Sequence, residues 1–260
     1  MKVTVLSENT ACRDDLKAEH GLSLYIETND KKILYDMGAS DAFLYNAKML
    51  GTDLSLVDIA VLSHAHYDHA GGISAFFEVN KKAKLYLSKQ AYLKCFSGDR
   101  YIGIDHAALK ANKERLVLTD DFMCIDEGIR LYSLNENERF YPMQNESLYV
   151  LCDGEKQADE FLHEQYLEIT EGKSTLLFSS CSHKGIINIA KWSEADIIIG
   201  GFHFFKTELS DFLAETAHEL LSLKKKYYTC HCTGMEQYLY MKKIMGDCVE
   251  YISCGHELNF

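Results

Sequence analysis

Four times along the chain, an apolar segment typical of a β-strand ends at a histidine, and a helix-like segment follows it. The four histidines at these strand ends are His64, His183, His203 and His231. Ligands of α/β sheets bind outside the carboxyl ends of the strands. We therefore predict an α/β fold in which these four histidines converge on one functional site.

The boundaries of these elements follow from hydrophobic periodicity. The four strands are predicted over 58–63, 174–180, 195–200 and 227–230, and the last three are followed by helices over 184–192, about 210–223 and 234–245. Nearer the N-terminus, two strands over 22–28 and 32–35 are predicted to form a hairpin. A helix over 40–50 follows, with Ser40 as its predicted N-cap.

The middle of the chain is less regular. Residues 122–134 predict two strands joined by a turn at Asp126-Glu127-Gly128, and the acidic segment 153–163 predicts a surface loop. We find no linker, and a mixed α/β chain of 260 residues commonly folds as one unit. We therefore predict a single domain over 1–260, with an irregular insert or lid at about 97–170.

The composition disfavours one class of partner. The formal net charge is −12, whereas a protein that grips a nucleic-acid backbone usually carries a basic patch. The nearest basic cluster is Lys224 to Lys226, which is expected to end a helix and oppose its dipole. We expect a small-molecule substrate and no nucleic acid.

The sequence also disfavours export and membrane insertion. The N-terminus has the pattern of a strand rather than of a signal peptide. No run approaches the ~18 apolar residues that span a bilayer. Nine cysteines without a signal peptide favour reduced thiols. We therefore expect a cytoplasmic protein with no membrane partner; the pattern leaves the oligomeric state open.

One short motif carries most of the predicted chemistry. It runs His64-Ala65-His66-Tyr67-Asp68-His69. A spacing of two places the imidazoles of His64 and His66 on one side of an extended segment. Asp68 and His69 follow where the chain turns toward a helix. Imidazole and carboxylate ligands suit Zn²⁺, Fe or Mn²⁺, and these four side chains are enough to serve two neighbouring cations.

With this motif the chain resembles the metallo-β-lactamase superfamily, and Tyr35-Asp36-Met37-Gly38 matches an early strand end of that family. The resemblance implies a four-layer αββα sandwich of the α+β type. It implies six ligands for two divalent metal ions: His64, His66 and His183 for the first, and Asp68, His69 and His231 for the second. Asp36 would then orient a ligand histidine.

One departure from the family pattern lies at the end of the third histidine-bearing strand. The family usually places a bridging aspartate there, and this chain has Gly200-Gly201-Phe202-His203 instead. The resemblance therefore implies that His203 stands in the place of the bridge and that the second metal binds more weakly. The resemblance also implies that Asp68 and His203 have catalytic roles.

The strand-end segments also resemble one branch of the superfamily. These segments are Cys181-Ser182-His183-Lys184-Gly185, Gly200-Gly201-Phe202-His203 and His231-Cys232-Thr233-Gly234. The branch is typified by an archaeal enzyme that joins a dihydropterin methyl diphosphate to ribofuranosylaminobenzene 5'-phosphate. The resemblance thus implies either hydrolysis by a metal-activated water on a small anionic substrate or a condensation of this synthase type.

Other functions are weighed against these two. A flavo-diiron reductase needs a glutamate where His66 stands and an added flavodoxin domain. A nuclease is disfavoured by the net charge of −12, and a glyoxalase-type thioesterase would keep the bridging aspartate. A non-catalytic metal or ligand sensor on the same fold is the alternative from another class. Zinc is the favoured metal, and iron or manganese stays open.

Two further residues are candidates for substrate contact. His163 ends the acidic segment and would cap the cleft, with an ordinary solvated loop as the alternative. Phe202 precedes His203 and would line a pocket wall suited to a flat ring, with core packing as the alternative. Cys181, Cys230 and Cys232 flank the candidate ligands, and we predict buried structural thiols there rather than metal ligands.

Overall fold

The structure is a computed structural model and describes residues 1–143 and 147–260. The strands are β1 (Lys2–Ser7), β2 (Ser23–Glu27), β3 (Lys32–Tyr35), β4 (Ile59–Val61), β5 (Lys84–Ser88), β6 (Lys94–Ser97), β7 (Arg100–Tyr101), β8 (Leu116–Thr119), β9 (Phe122–Asp126), β10 (Ile129–Tyr132), β11 (Leu148–Cys152), β12 (Glu155–Ala158), β13 (Tyr166–Glu171), β14 (Ser174–Phe178), β15 (Ile197–Ile199), β16 (Lys226–Thr229), β17 (Val249–Tyr251) and β18 (Glu257–Asn259). The helices are α1 (Ala42–Met49), α2 (Tyr67–Ala70), α3 (Ile73–Val79), α4 (His106–Ala111), α5 (Ile186–Trp192), α6 (Asp211–Ser222) and α7 (Met235–Met245).

The chain divides into two compact units. Unit 1 consists of Met1–Asp121, Ser147–Gln165 and Ser253–Phe260, and unit 2 of Phe122–Glu146 and Tyr166–Ile252. Each unit contains one seven-stranded sheet together with helices. The predicted α/β class is therefore confirmed in both units.

Unit 1 contains a sheet with the strand order β18-β1-β2-β3-β4-β5-β8 and a smaller antiparallel sheet with the order β12-β11-β6-β7. Strands β3, β4, β5 and β8 run parallel to one another. Its core includes Phe43, Phe76 and Leu85. Because β3 and β4 are parallel neighbours, the residues that follow them, at Asp36 and at Ser63, come to the same sheet edge.

Unit 2 contains a sheet with the order β17-β16-β15-β14-β13-β10-β9, in which β14 to β17 are parallel. Three consecutive isoleucines form β15, as suits β-branched side chains in a strand. Helix α6 buries Leu213, Thr216, Ala217 and Leu220, which recur at helical spacing. The loops after β14, β15 and β16 therefore share one edge, and these loops carry His183, His203 and His231.

The predicted elements agree with the structure except in three places. Helix α1 begins after Asp41 rather than Ser40, although the Ser40 hydroxyl accepts a hydrogen bond from the Ala42 N–H at 3.1 Å. The expected exposed loop over 153–163 is wrong, because it contains β12 and then turns inward at the buried Phe161 and His163. The segment predicted as an irregular insert at about 97–170 contains the regular elements α4 and β7 to β12, and β8, β9 and β10 belong to the seven-stranded sheets. Of the four histidine-bearing strands, β4 lies in unit 1 and the other three lie in unit 2.

Among the described residues, no helix has the length and apolar character to cross a membrane.

Candidate metal centre

The motif segment of unit 1 begins where β4 ends. His64, His66 and His69 are buried, with exposed fractions of 1%, 5% and 0%. The ring centroid of His64 lies 4.6 Å from that of His66 and 4.2 Å from that of His69. His66 is extended and precedes the single turn of α2, which contains both Asp68 and His69. The predicted change from strand to helix therefore gathers three imidazoles in one place.

Asp36 orders this group from the end of the neighbouring strand. Its carboxylate is fully buried and accepts the Ser63 N–H and the Ser63 hydroxyl, both at 2.7 Å. The same carboxylate lies 2.8 Å from Nδ1 of His69, so this nitrogen carries the proton and donates. A metal at His69 would therefore use Nε2, and a carboxylate behind a ligand histidine is the usual outer partner in metal sites.

His64 has a similar arrangement. Its Nδ1 lies 2.8 Å from the Ser63 hydroxyl oxygen, whose proton is directed to Asp36. Nδ1 of His64 is therefore the donor in this pair, and Nε2 is the nitrogen available for a metal. Burial lowers the pKa of His66 to about 3, which keeps the ring in the neutral form that metals bind.

Asp68 lies beside this cluster. Its Oδ2 is 3.2 Å from Nε2 of His20 and 3.7 Å from Nε2 of His69. Sequence reasoning did not connect His20 with the motif, because it lies far upstream in a segment without periodic hydrophobicity. The carboxylate side chain is 12% exposed, so Asp68 is more exposed than the three motif histidines.

A second group of buried polar residues hydrogen-bonds to the backbone of the motif and of the residue before it. The Ala65 N–H donates to Nδ1 of His163 at 3.1 Å, and Nε2 of His163 lies 3.1 Å from Asp159 and 3.6 Å from the sulfur of Cys95. The Gln165 N–H donates to the Ser63 carbonyl at 2.8 Å. His163 is fully buried, and through its hydrogen bond to Ala65 it supports the motif backbone. Its predicted contact with substrate stays a prediction.

In unit 2, Cys181, His183 and His203 form one cluster, with their donor atoms within 4.8 Å of one another. The rings of His183 and His203 are 4.3 Å apart. Cys181, His231 and Cys232 form a second cluster on the same criterion. No disulfide joins any of the nine cysteines, all of which lie in the described residues.

Several strand-end residues adopt backbone conformations that side chains other than glycine rarely take. Asp36, Ser182, His203 and His231 have φ values of 59°, 55°, 58° and 49°. Each such conformation costs about 1–3 kcal/mol and clusters at functional sites when the surrounding structure imposes it. The chain therefore turns sharply after β3, β14, β15 and β16, and each turn lies at or next to a residue that the sequence analysis predicts to be in the metal site.

Phe202 and His203 border a cavity of about 310 Å³ in unit 2. The wall includes the aromatic side chains of Tyr141, Phe204 and Phe212. Phe202 itself is 1% exposed and packs edge-on against Tyr227, with ring centroids 5.9 Å apart. Phe202 is thus mainly a core residue whose edge reaches this wall, and its substrate contact stays a prediction.

Several known proteins resemble this chain. A family model described as the metallo-beta-lactamase superfamily matches residues 16–127. An uncharacterized protein of Methanocaldococcus jannaschii is 31% identical over 90% of this chain and 91% of its own length. The 7,8-dihydropterin-6-methyl-4-(beta-D-ribofuranosyl)-aminobenzene-5'-phosphate synthase of the same organism is 28% identical over 100% of this chain and 97% of its own.

Solved structures agree. A metal-dependent hydrolase of the beta-lactamase superfamily superposes with a TM-score of 0.85 at 26% identity, over 100% of this chain and 99% of that one. Zn²⁺-bound PqqB from Methylobacterium extorquens shares the fold, with a TM-score of 0.59 at 12% identity over 100% of both chains. These matches confirm the predicted fold class, and the chain belongs to the metallo-beta-lactamase superfamily.

Proposed function

We propose that this protein is a metal-dependent hydrolase that binds two divalent metal ions and acts on a small anionic substrate. The observation that carries the proposal is the buried group of His64, His66 and His69, with the Asp36 carboxylate 2.8 Å behind His69. Buried imidazoles whose outer nitrogen is fixed by a carboxylate are typical of metal ligands.

The donor set fits the proposed metals. The proposed ligands are His64, His66 and His183 for one ion, and Asp68, His69 and His231 for the other. Imidazole nitrogen with carboxylate oxygen suits zinc first, with iron or manganese as alternatives. Zinc also occurs in the structural relative PqqB.

The residues of the chain would divide the work. A bound divalent ion supplies a water acidic enough to lose a proton near neutral pH and polarises a carbonyl or phosphoryl oxygen. Asp68, the one acid of the motif, would orient the attacking water and accept its proton. His203 would contact the substrate from the loop after β15, where Nδ1 is buried without a hydrogen-bond partner among the described residues.

A second candidate is the condensation that the archaeal synthase performs. The identity of 28% extends over the whole chain, so the likeness is not limited to the metal motif. In that reaction the same ligands would stabilise a departing diphosphate, and the site would have to exclude water rather than activate it.

One experiment separates these functions. The protein is purified with its native metal, and its metal-to-protein ratio is measured. It is then assayed in parallel for hydrolysis of phosphodiester, lactone and thioester substrates and for condensation of the pterin diphosphate. We expect a ratio near two and turnover in one hydrolytic assay. A ratio near one would exclude the two-metal centre, and turnover in the condensation alone would replace hydrolase by synthase.

Two variants complete the experiment. Asp68→Asn should abolish turnover, because an amide cannot take up the proton. Asp58→Asn alters a surface carboxylate that forms an ion pair with Lys82, and this variant should retain turnover. A wild-type protein that binds metal and substrate without turnover, and an Asp68→Asn variant that binds both equally well, would favour a non-catalytic sensor instead.

A further inference from the structure

The loop after β15 lacks the acid that the family usually places between its two metals, and it carries Gly200 and Gly201 there. A two-metal centre without a bridging anion would hold two cations at close range with nothing between them. An anionic side chain in the same region of unit 2 would offset this repulsion, and the neutral histidines cannot do so.

We propose that the thiolates of Cys181 and Cys232 are metal ligands and that Cys181 takes the place of the missing bridging carboxylate. This rests on the two-metal centre of the proposed function and goes beyond it, because it adds sulfur to the ligand set. It replaces the sequence expectation that both cysteines are structural thiols.

The position of Cys181 carries the proposal. Its sulfur belongs to one cluster with His183 and His203, and to another with His231 and Cys232. In each cluster the donor atoms lie within 4.8 Å of one another. His183 and His231 are the proposed ligands of different ions, so the sulfur of Cys181 is within reach of both.

Gly201, in the same loop as His203, makes room for the second sulfur. A Cβ atom at Gly201 would lie 2.4 Å from the sulfur of Cys232, closer than any real contact. Cys232 is held there, with its sulfur 3.6 Å from the Cys181 carbonyl oxygen. A residue with a side chain at position 201 would therefore displace the sulfur of Cys232.

The surroundings of these thiols differ from those of an ordinary buried cysteine. Cys254 of unit 1, for example, lies 3.3 Å from the Leu6 carbonyl oxygen and packs within its core. Cys181 and Cys232 instead lie at strand ends, among imidazoles. Two ligand atoms on one tetrahedral zinc ion are about 3.3–3.8 Å apart, so small side-chain rotations bring the clustered donors into ligand geometry.

The proposal has a chemical consequence. Each thiol releases one proton to solvent as its sulfur binds the ion, so metal uptake is coupled to proton release. Thiolate ligands favour zinc or iron over manganese and magnesium. The site should therefore select zinc more strongly than a centre of imidazole and carboxylate alone.

Cobalt substitution tests the sulfur ligands directly. The full chain is stripped with a chelator and titrated with Co²⁺, and the near-ultraviolet sulfur-to-cobalt absorption band is recorded together with the bound cobalt per chain. We expect the band in the wild-type protein. Because a bridging Cys181 sulfur would bind both ions and the Cys232 sulfur one, the band should lose about two thirds of its intensity in Cys181→Ser and about one third in Cys232→Ser. It should vanish when both are replaced.

Cys230→Ser is the matched control, because Cys230 is buried in the same segment and belongs to neither of the two clusters. This variant should keep the full band. Circular dichroism of each metal-free variant reports whether it is folded, and alanine replaces serine where a serine variant is not.

The outcomes separate the two proposals. Two cobalt ions per chain without a sulfur band would overturn the thiolate ligands and leave the two-metal enzyme standing. No bound cobalt would overturn both. A band that survives the double replacement would overturn the assignment to these two cysteines. The wild-type spectrum decides whether any sulfur binds the metal, and the folded variants decide which cysteines supply it.

Discussion

At the scale of single residues, Asp36 is the side chain on which most of the motif geometry depends. It adopts φ of 59°, is fully buried and accepts three hydrogen bonds, two from Ser63 and one from His69. Asp36→Asn would place an amide N–H against donors. We expect metal affinity to fall by about 10–100-fold, the usual effect of losing such an outer partner. Competition with a chromophoric chelator measures it.

Asp53→Asn is the control for this change. Asp53 also accepts the N–H and the hydroxyl of one serine, Ser55, at 2.9 and 2.7 Å, but it does so at the exposed start of a short helix. Asparagine caps helices as well as aspartate does, so metal affinity should stay at the wild-type value. Equal affinities for both variants and the wild type would refute the role given to Asp36.

The motif residues could be predicted from the sequence because their chemistry is local. His64 to His69 lie within one strand end and one helical turn, so spacing alone indicates what they share. Asp159 and Cys95 could not be found in this way. Their importance comes from burial against His163, and burial of polar groups is decided by tertiary packing rather than by local pattern.

At the scale of elements, the segment from Asp159 to Gln165 acts as a support for the motif strand end. His163→Leu would remove the acceptor of the Ala65 N–H and leave the Asp159 carboxylate buried beside an apolar side chain. We expect lower thermal stability and, in addition, metal affinity lowered by about 10-fold or more. Calorimetry and chelator competition measure the two effects separately.

His256→Leu is the matched control for the support segment. Nδ1 of His256 also accepts a backbone N–H, that of Ser253, at 3.1 Å in the same unit. It should lower stability without changing metal affinity. If His163→Leu likewise changes only stability, then the segment merely fills the core and does not position the motif.

The loop after β15 is a second element whose shape is closely constrained. Gly200 has φ of 143°, and an added Cβ would lie 1.9 Å from the Ser179 carbonyl oxygen. Gly200→Ala should therefore cost more than about 3 kcal/mol, which lowers the melting temperature by roughly 6 °C or more. Gly172→Ala, at φ of 62° with open space, should cost only about 1–2 kcal/mol. Similar melting temperatures for both variants would mean that the loop can relax.

The elements themselves were predictable to the extent that periodicity defines them. Strand β15 and helix α6 have patterns of three isoleucines and of i, i+3, i+4 burial, and both are found as predicted. The strand in the acidic segment, β12, could not be predicted in this way. Its charged residues are exposed as expected, but hydrogen bonding to β11 makes it a strand, and no propensity of Glu155–Ala158 indicates that partner.

At the scale of the whole molecule, bound metal should contribute to stability, because the proposed ligands are ordered only in the folded chain. A ligand at about 100 times its dissociation constant stabilises the folded state by about 2.7 kcal/mol. Removing it with a chelator should lower the melting temperature by roughly 5–10 °C, and zinc added back should restore it. Scanning calorimetry of the native, stripped and reloaded protein measures this change in melting temperature.

Magnesium at the same concentration should restore little of the lost stability, because hard oxygen-seeking cations bind imidazole poorly. A stripped protein that melts at the native temperature would show that these buried histidines are stable without metal, and their role would then be structural.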